Sequence, residues 1–145
     1  MNVYSIGFTQ KSARQFFERL KAAKIRRVVD VRISNSSQLA GFSKKGDLEY
    51  FLEQLCQAEY VHEPRLAPNI ELLHDYRKHR VSWQEYETRF LRLMAQRKVE
   101  QEISPELLDG PTALLCTEPT PEQCHRRLVI EYLAQRWGNL AHIPL

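Results

Sequence analysis

Short runs of apolar residues, the first two rich in β-branched side chains, alternate along this chain with longer stretches of helical periodicity. The runs are Val3–Ile6, Val28–Val31, Tyr60–Val61, Ala113–Cys116 and Leu140–Ile143. Strands that alternate with helices build βαβ units and a parallel sheet. The sequence therefore predicts an α/β fold with three layers, in which a mostly parallel sheet carries helices on both faces.

Helix-capping motifs mark where the intervening helices begin. The spacing of a capping box occurs at two places, Ser12 with Gln15 and Ser82 with Glu85. The second box predicts a long helix that continues to about Glu102. Two further helices are predicted without a capping box, one that begins at Asp47 and one over Asn69–Arg80.

Length and composition limit the class of protein. With 145 residues the chain is long enough for one domain, and we expect a single domain over 1–145. A net charge of +3 is too weak to predict nucleic-acid or membrane binding by itself. Three cysteines at irregular spacing argue against a disulfide framework and favour a cytoplasmic protein. No apolar run approaches the ~20 residues of a membrane span.

Polar or reactive residues follow four of the predicted strands. These strand ends are Gly7–Thr9, Asp30–Arg32, His62–Glu63 and Cys116–Glu118. Parallel strands bring their carboxyl ends to one edge of the sheet, where α/β proteins bind ligands. We therefore expect one cleft lined by Asp30, Arg32, Cys116, Glu118, Cys124 and His125. Thr9 and His62 are expected to bind substrate at the same edge, although a structural role for His62 is an open alternative.

The pair Asp30 and Arg32 flanks Val31, so strand alternation points both side chains away from the face that Val31 occupies. A lone buried charge is costly, so the two residues must pair with each other or with a ligand. One interpretation is a structural ion pair that anchors the following loop. In the other, Arg32 binds an anionic substrate group through its planar fork, and Asp30 orients it or moves a proton.

The second candidate group lies in the segment that begins at Cys116. Thr120 and Pro121 predict the start of a final helix, which would place Cys124 and His125 in its first turns. The positive end of a helix dipole favours anions there and lowers the pKa of a thiol.

This placement gives the segment an expected chemistry. Cys124 would be a nucleophile, His125 or Glu118 an acid or base, and Cys116 and Arg126 part of the substrate site. The alternative is that both cysteines are small buried apolar residues, because cysteine is among the residues most often buried.

Motif spacings argue against several other chemistries. Seven residues separate Cys116 from Cys124, whereas thioredoxin-like redox motifs have a two-residue gap. The spacing of Cys116, Cys124 and His125 also differs from that of usual zinc ligands, so the sequence predicts no metal site. Gly7 stands alone after the first strand, which excludes a Gly-rich phosphate loop there. The sequence names no cofactor.

Several segments together resemble the uncharacterised family called domain of unknown function 488. They are Tyr4-Ser5-Ile6-Gly7-Phe8-Thr9, Val29-Asp30-Val31-Arg32, Ser37-Gln38-Leu39-Ala40-Gly41-Phe42, Tyr60-Val61-His62 and Glu118-Pro119-Thr120-Pro121-Glu122-Gln123-Cys124-His125-Arg126-Arg127. Many relatives have Gly-His-Ser where this chain has Gly7-Phe8-Thr9. The resemblance implies a compact α/β domain with a polar pocket and supplies no reaction.

Two specific functions, and a structural or partner-binding role besides them, remain open at this stage. The first is an enzyme that acts on an anionic, phosphate-bearing or nucleotide-like substrate in the strand-end cleft. The second is a noncatalytic module that binds a nucleotide or nucleic acid through the same pocket and the basic runs 74–80 and 89–98. The polar stretch Ser34–Gly46 would be a mobile loop that closes Lys44 or Lys45 over the site. Cys56 is expected in the core, with a slightly less reactive thiol than Cys124.

Overall fold

Five parallel strands form the centre of the protein. The computed structural model describes residues 1–33, 42, 45–117 and 124–145. The strands are β1 (Asn2–Gly7), β2 (Arg27–Asp30), β3 (Glu59–His62), β4 (Thr112–Cys116) and β5 (Ala141–Pro144). They lie in the order β3-β2-β4-β1-β5, and all four pairings between these neighbours are parallel. The predicted α/β class is confirmed.

Helices connect the strands and cover the sheet. They are α1 (Ala13–Ala22), α2 (Lys45–Phe51), α3 (Ile70–Arg77), α4 (Trp83–Arg97), α5 (Val99–Glu102) and α6 (His125–Trp137). A π-helical turn, Leu52–Cys56, continues α2, and short 3-10 turns occupy Pro64–Leu66 and Pro105–Leu108. Within the described part of the chain, no helix has the length and apolar character needed to span a membrane.

The helices divide between the two faces of the sheet. On one face, which we call the α1 face, Phe16 of α1 and Leu48 of α2 pack with Val28 of β2. On the other, the α6 face, Phe90 of α4 and Leu128 of α6 pack with Val29, the next residue of β2. Successive strand residues point to opposite faces, so each strand contributes to both cores. The predicted three-layer arrangement is confirmed.

The order of the strands makes two chain connections diverge at the carboxyl edge of the sheet. The chain leaves β2 toward β3 along the α1 face and leaves β4 toward β5 along the α6 face. Because β2 and β4 are neighbours, their outgoing connections move apart in opposite directions. In open parallel sheets, ligands bind where adjacent connections diverge in this way. This point lies beyond Asp30 and Cys116.

Local capping signals predict most helix starts correctly. Ser12 and Gln15 form the expected capping box, with N–H···O distances of 3.1 and 2.9 Å. Ser82 Oγ accepts a hydrogen bond from the backbone N–H of Glu85 at 3.1 Å. Asn69 caps α3 in the same manner through the N–H of Leu72, at 2.8 Å. These helices begin where their side-chain caps satisfy otherwise unpaired backbone donors.

Two predicted helix boundaries, the end of α4 and the start of α2, are wrong. The helix that begins after Ser82 ends at Arg97 and does not continue to Glu102, because Lys98 adopts a left-handed conformation with φ of 54°. That turn redirects the chain so that Val99, the first residue of α5, packs in the core. Helix α2 begins at Lys45, so Asp47 lies in its first turn and is not its cap.

The left-handed residue at Lys98 gives a testable consequence for stability. A side chain with a Cβ atom is strained at positive φ, whereas glycine is not. We expect Lys98→Gly to raise the free energy of unfolding by about 0.5–1 kcal/mol. Ala95→Gly, at an exposed position of the same helix, should lower it by about 1 kcal/mol. Urea denaturation measures both, and equal losses from the two substitutions would contradict the assigned turn.

Candidate functional site

A buried group of reactive side chains lies on the α6 face at the carboxyl edge of the sheet. Cys116 is the last residue of β4, and Cys124, His125 and Arg126 are at the start of α6. All four side chains are buried, and Arg126 is only 1% exposed. We call these four residues the thiol–imidazole group.

The imidazole of His125 is held between a backbone carbonyl and a thiol. Its Nε2 atom lies 2.7 Å from the carbonyl oxygen of Val31, just beyond β2, and its Nδ1 atom lies 3.5 Å from Cys116 Sγ. A carbonyl oxygen only accepts, so Nε2 carries the proton in this contact. The Nδ1 atom is thereby directed at the sulfur of Cys116.

Cys124 occupies the N-cap position of α6, where the backbone is extended, with φ of −137° and ψ of 142°. The prediction that it lies inside the first turns of a helix begun near Thr120 is therefore wrong, since the helix begins at His125. An N-cap residue has non-helical dihedral angles and projects its side chain beside the free N–H groups. Here the sulfur is not used as a cap and instead accepts a hydrogen bond from Arg126 Nη1 at 3.5 Å.

The two thiols of the group differ in acidity. Burial opposes ionisation of Cys124, but hydrogen bonding with Cys116 and His125 and the charge of Arg126 hold the pKa of its thiol well below the usual range. Burial and the adjacent Cys124 raise the pKa of Cys116 well above that range. These shifts favour ionisation of Cys124 over ionisation of Cys116.

Aromatic residues of α4 form an apolar wall beside the thiol–imidazole group. The ring of Phe90 lies 5.5 Å from the ring of His125, and Tyr86 stacks on Phe90 at 6.1 Å. Burial, followed by the charges of Cys116 and Cys124, raises the pKa of the Tyr86 phenol. An apolar wall of this kind strengthens the electrostatic interactions within the group.

Positive charge surrounds the start of α6. Burial, and then the charges of Arg19 and Arg126, lower the pKa of Lys11 in the β1–α1 connection. The pKa of His142 is lowered by burial and then by Arg126. The pKa values of two groups on different elements are thus lowered in part by the charge of Arg126. This positive charge would attract an anion.

Thr9, a predicted substrate-binding residue, lies just beyond the end of β1 at the carboxyl edge of the sheet. Its Oγ1 donates a hydrogen bond to the carbonyl oxygen of Thr117 at 2.7 Å, and its backbone N–H contacts the same oxygen at 3.2 Å. These contacts tie the ends of β1 and β4 together.

A second group, which includes the predicted pair Asp30 and Arg32, lies on the α1 face. Arg32 donates to both carboxylate oxygens of Asp30, at 2.9 and 2.7 Å, and its backbone N–H donates to one of them at 3.1 Å. Tyr60 donates to Asp30 at 2.6 Å, and the guanidinium lies 5.1 Å from the ring centroid of Phe8. The carboxylate is saturated with donors, which favours the interpretation of a structural ion pair.

His62, another candidate binding residue, supports the same segment. It ends β3, and its half-buried imidazole donates from Nε2 to the carbonyl oxygen of Arg32 at 2.8 Å. This contact fixes the chain as it leaves β2, so the geometry favours the structural alternative for His62.

The expectation that all the candidates line one cleft needs correction. The register between β2 and β4 pairs Asp30 with Leu115, so Cys116 points to the face opposite Asp30. The two groups therefore lie on opposite faces, and the backbone carbonyl of Val31 links them through its contact with His125. Glu118 lies outside the described residues.

The predicted loop lies largely outside the described part of the chain as well. Residues 34–41 and 43–44, including Lys44, are not described, and Lys45 begins α2. Phe42 is described, and its ring lies 5.4 Å from that of Phe16 on the α1 face.

Three atoms of the thiol–imidazole group have the chemistry of metal ligands. The sulfur atoms of Cys116 and Cys124 and a ring nitrogen of His125 lie within 4.8 Å of one another. The spacing along the sequence predicts no metal site here, but the fold brings the three ligand atoms together because the end of β4 lies next to the start of α6. The three side chains could hold a thiophilic cation.

Sequence reasoning missed two residues that shape the site. Lys11 shares the carboxyl edge with Thr9, and its position just after a predicted strand end was an available signal. Phe90 packs in the core on the α6 face, and its contact with His125 had no signal in the sequence.

Fold and site together define a parallel α/β protein with buried thiol chemistry at the diverging strand ends. The model of the family described as domain of unknown function DUF488 matches residues 12–133, and the chain belongs to this family. No curated protein and no solved structure matches the chain.

The buried ion pair predicts a large effect on stability. Asp30→Asn would leave Arg32 charged and buried without its carboxylate, so we expect the free energy of unfolding to fall by about 3–5 kcal/mol. Glu59→Gln removes the partner of Arg27 in an exposed ion pair between β2 and β3, at 2.9 Å. That control should cost at most about 1 kcal/mol. If urea denaturation gives similar losses for both, the ion pair is not the anchor of this edge.

Proposed function

We propose that the protein is an enzyme that acts on an anionic, phosphate-bearing substrate, with Cys124 as the nucleophile. The observation that carries this proposal is the 3.5 Å contact between Arg126 Nη1 and Cys124 Sγ inside a buried group that also contains a thiol–imidazole pair. A cation beside a buried thiol favours its ionised, nucleophilic form.

The chemistry follows from the contacts around the sulfur. Attack by the Cys124 thiolate forms a bond from sulfur to the electrophilic centre while the bond to the leaving group breaks. The proton shared by Cys116 and His125, whose atoms lie 3.5 Å apart, is the one available to the leaving group. The Val31 carbonyl holds the imidazole in position during the transfer.

The preference for an anion rests on charge and topology. Arg126 and Lys11 are cationic, and the 13-residue helix α6 directs its positive end toward Cys124. The group also lies beside the diverging connections of β2 and β4, where ligands bind in this class of fold. Phosphate esters and nucleotides have the charge that such a site would select.

The alternative, a noncatalytic module for nucleotides or nucleic acid, uses the same cationic site without a reaction. The contacts of the basic helices give this alternative less support. Arg97 donates to the carbonyl oxygens of Arg65 and Ala67, and Arg89 pairs with Asp75 at 3.2 Å. These cations hold the fold together, so they are less available for a nucleic-acid backbone.

We also propose a cytoplasmic location. All three cysteines are free thiols, and the proposed nucleophile requires a reduced sulfur.

Alkylation with two reagents of different charge tests the nucleophile and the anion preference together. Iodoacetamide is neutral and iodoacetate is an anion, and both react with thiolates. We expect iodoacetamide to label Cys124 modestly faster than Cys56, whose buried thiol has a raised pKa. With iodoacetate the advantage of Cys124 should increase, because the cationic site attracts the reagent. Peptide mass spectrometry after short exposures of metal-free protein gives both rates.

Variants separate the contributions in this experiment. Lys11→Met should reduce the iodoacetate advantage at Cys124 and leave the rate at Cys56 unchanged. Phosphate release from a panel of phosphomonoesters and nucleotides should be lost in Cys124→Ser and retained in Cys56→Ser. If Cys56 labels as fast as Cys124 with both reagents, the nucleophile proposal is wrong.

A further inference from the structure

We propose that Cys116, Cys124 and His125 form a binding site for a thiophilic divalent cation such as Zn²⁺. The proposal goes beyond the proposed function and does not rest on it. A metal and an electrophilic substrate would compete for the same sulfur of Cys124.

The distances within the group suit this cation. In a tetrahedral zinc site, bond lengths of ~2.3 Å to sulfur and ~2.0 Å to nitrogen place neighbouring N and S ligands ~3.5 Å apart. The distance from Cys116 Sγ to His125 Nδ1 is 3.5 Å, and all three ligand atoms lie within 4.8 Å of one another. Small side-chain rotations are sufficient to close the set around one ion.

The surroundings of the ligands are those of a metal site. Metal-binding histidines donate their second ring N–H to a carbonyl or carboxylate, which orients the ring. His125 makes this contact through Nε2 to the Val31 carbonyl at 2.7 Å, which leaves Nδ1 directed at Cys116. Arg126 donates to Cys124 Sγ at 3.5 Å, a hydrogen bond that stabilises a thiolate ligand.

Charge explains why a divalent ion fits this pocket. Two thiolates side by side repel each other, and a dication neutralises both. Arg126 and the start of α6 add positive charge, so a site with fewer than two thiolates would not retain the metal. Two thiolates and an imidazole select Zn²⁺, Co²⁺ or Cd²⁺ over Mg²⁺ and Ca²⁺, which prefer oxygen ligands.

The number of ligands indicates the kind of site. Structural zinc sites are closed by four protein ligands, whereas three protein ligands leave a position for water or a substrate atom. Among the residues that the structure describes, the cluster supplies three ligands. Arg126, which donates to Cys124 Sγ, adds positive charge beside the ligands and would favour an anionic fourth ligand.

Cobalt binding to the full-length, reduced and chelator-treated protein tests the proposal. We expect one equivalent of Co²⁺ to give the intense visible bands of a tetrahedral ion and a thiolate-to-metal charge-transfer band in the near ultraviolet. Zn²⁺ should displace the cobalt, and excess Mg²⁺ should not. With Zn²⁺ bound, alkylation of Cys116 and Cys124 should slow, while the rate at Cys56 stays the same.

Variants assign the ligands. Cys116→Ser, Cys124→Ser and His125→Gln should each weaken zinc binding by at least ~10-fold, and Cys56→Ser should bind as the natural sequence does. Circular dichroism identifies any variant that fails to fold. The alkylation of the natural sequence with and without zinc assigns the sulfur ligands independently of the variants.

Clear outcomes would overturn the metal site. The absence of a tetrahedral spectrum at one equivalent of cobalt would contradict the proposed site. An unchanged alkylation rate of Cys116 and Cys124 after zinc is added would contradict it as well. Cobalt bands that persist in Cys116→Ser and Cys124→Ser would also contradict it. The proposed function fails separately, through slow alkylation of Cys124 in metal-free protein.

Discussion

The hydrogen bond from His125 Nε2 to the carbonyl oxygen of Val31 connects the last helix to the end of a central strand. It spans the point where the connections from β2 and β4 diverge, and it determines which ring nitrogen faces Cys116. Without it the imidazole could rotate between the two sulfurs and the apolar wall of Phe90. The proposed nucleophilic chemistry and the proposed metal binding both depend on that orientation, because each requires Nδ1 at the thiols.

The two faces of the sheet divide stability from chemistry. On the α1 face, Arg32 donates to both carboxylate oxygens of Asp30, and Tyr60 and Phe8 contact the pair. On the α6 face, Arg126 donates a hydrogen bond to the sulfur of Cys124, and no carboxylate is among the four residues of the thiol–imidazole group. A carboxylate that is saturated with donors resists change, whereas a thiolate beside a cation can exchange its partner for a substrate or a metal. We therefore place the proposed chemistry on the α6 face.

The strands and their order in the chain could be predicted because β-branched runs and capping boxes are local signals. The faces of the sheet to which Asp30 and Cys116 point could not be predicted from the sequence, because they depend on strand register. Each strand alternates, but only the pairing of Asp30 with Leu115 decides that Cys116 faces the other way. The helix break at Lys98 and the N-cap position of Cys124 were also missed, since core packing of Val99 and contacts of the sulfur override local propensity there.

Nitrogen-15 NMR of the histidine rings measures the orientation of His125 most directly. Long-range correlations between ring protons and nitrogens distinguish a protonated Nε2 from a protonated Nδ1. Near neutral pH, in reduced protein without metal, we expect the His125 proton on Nε2, with the resonance of Nδ1 altered in Cys116→Ser. A neutral ring with its proton on Nδ1 and a bare Nε2 would contradict the link to Val31, and with it the arrangement on which the site depends.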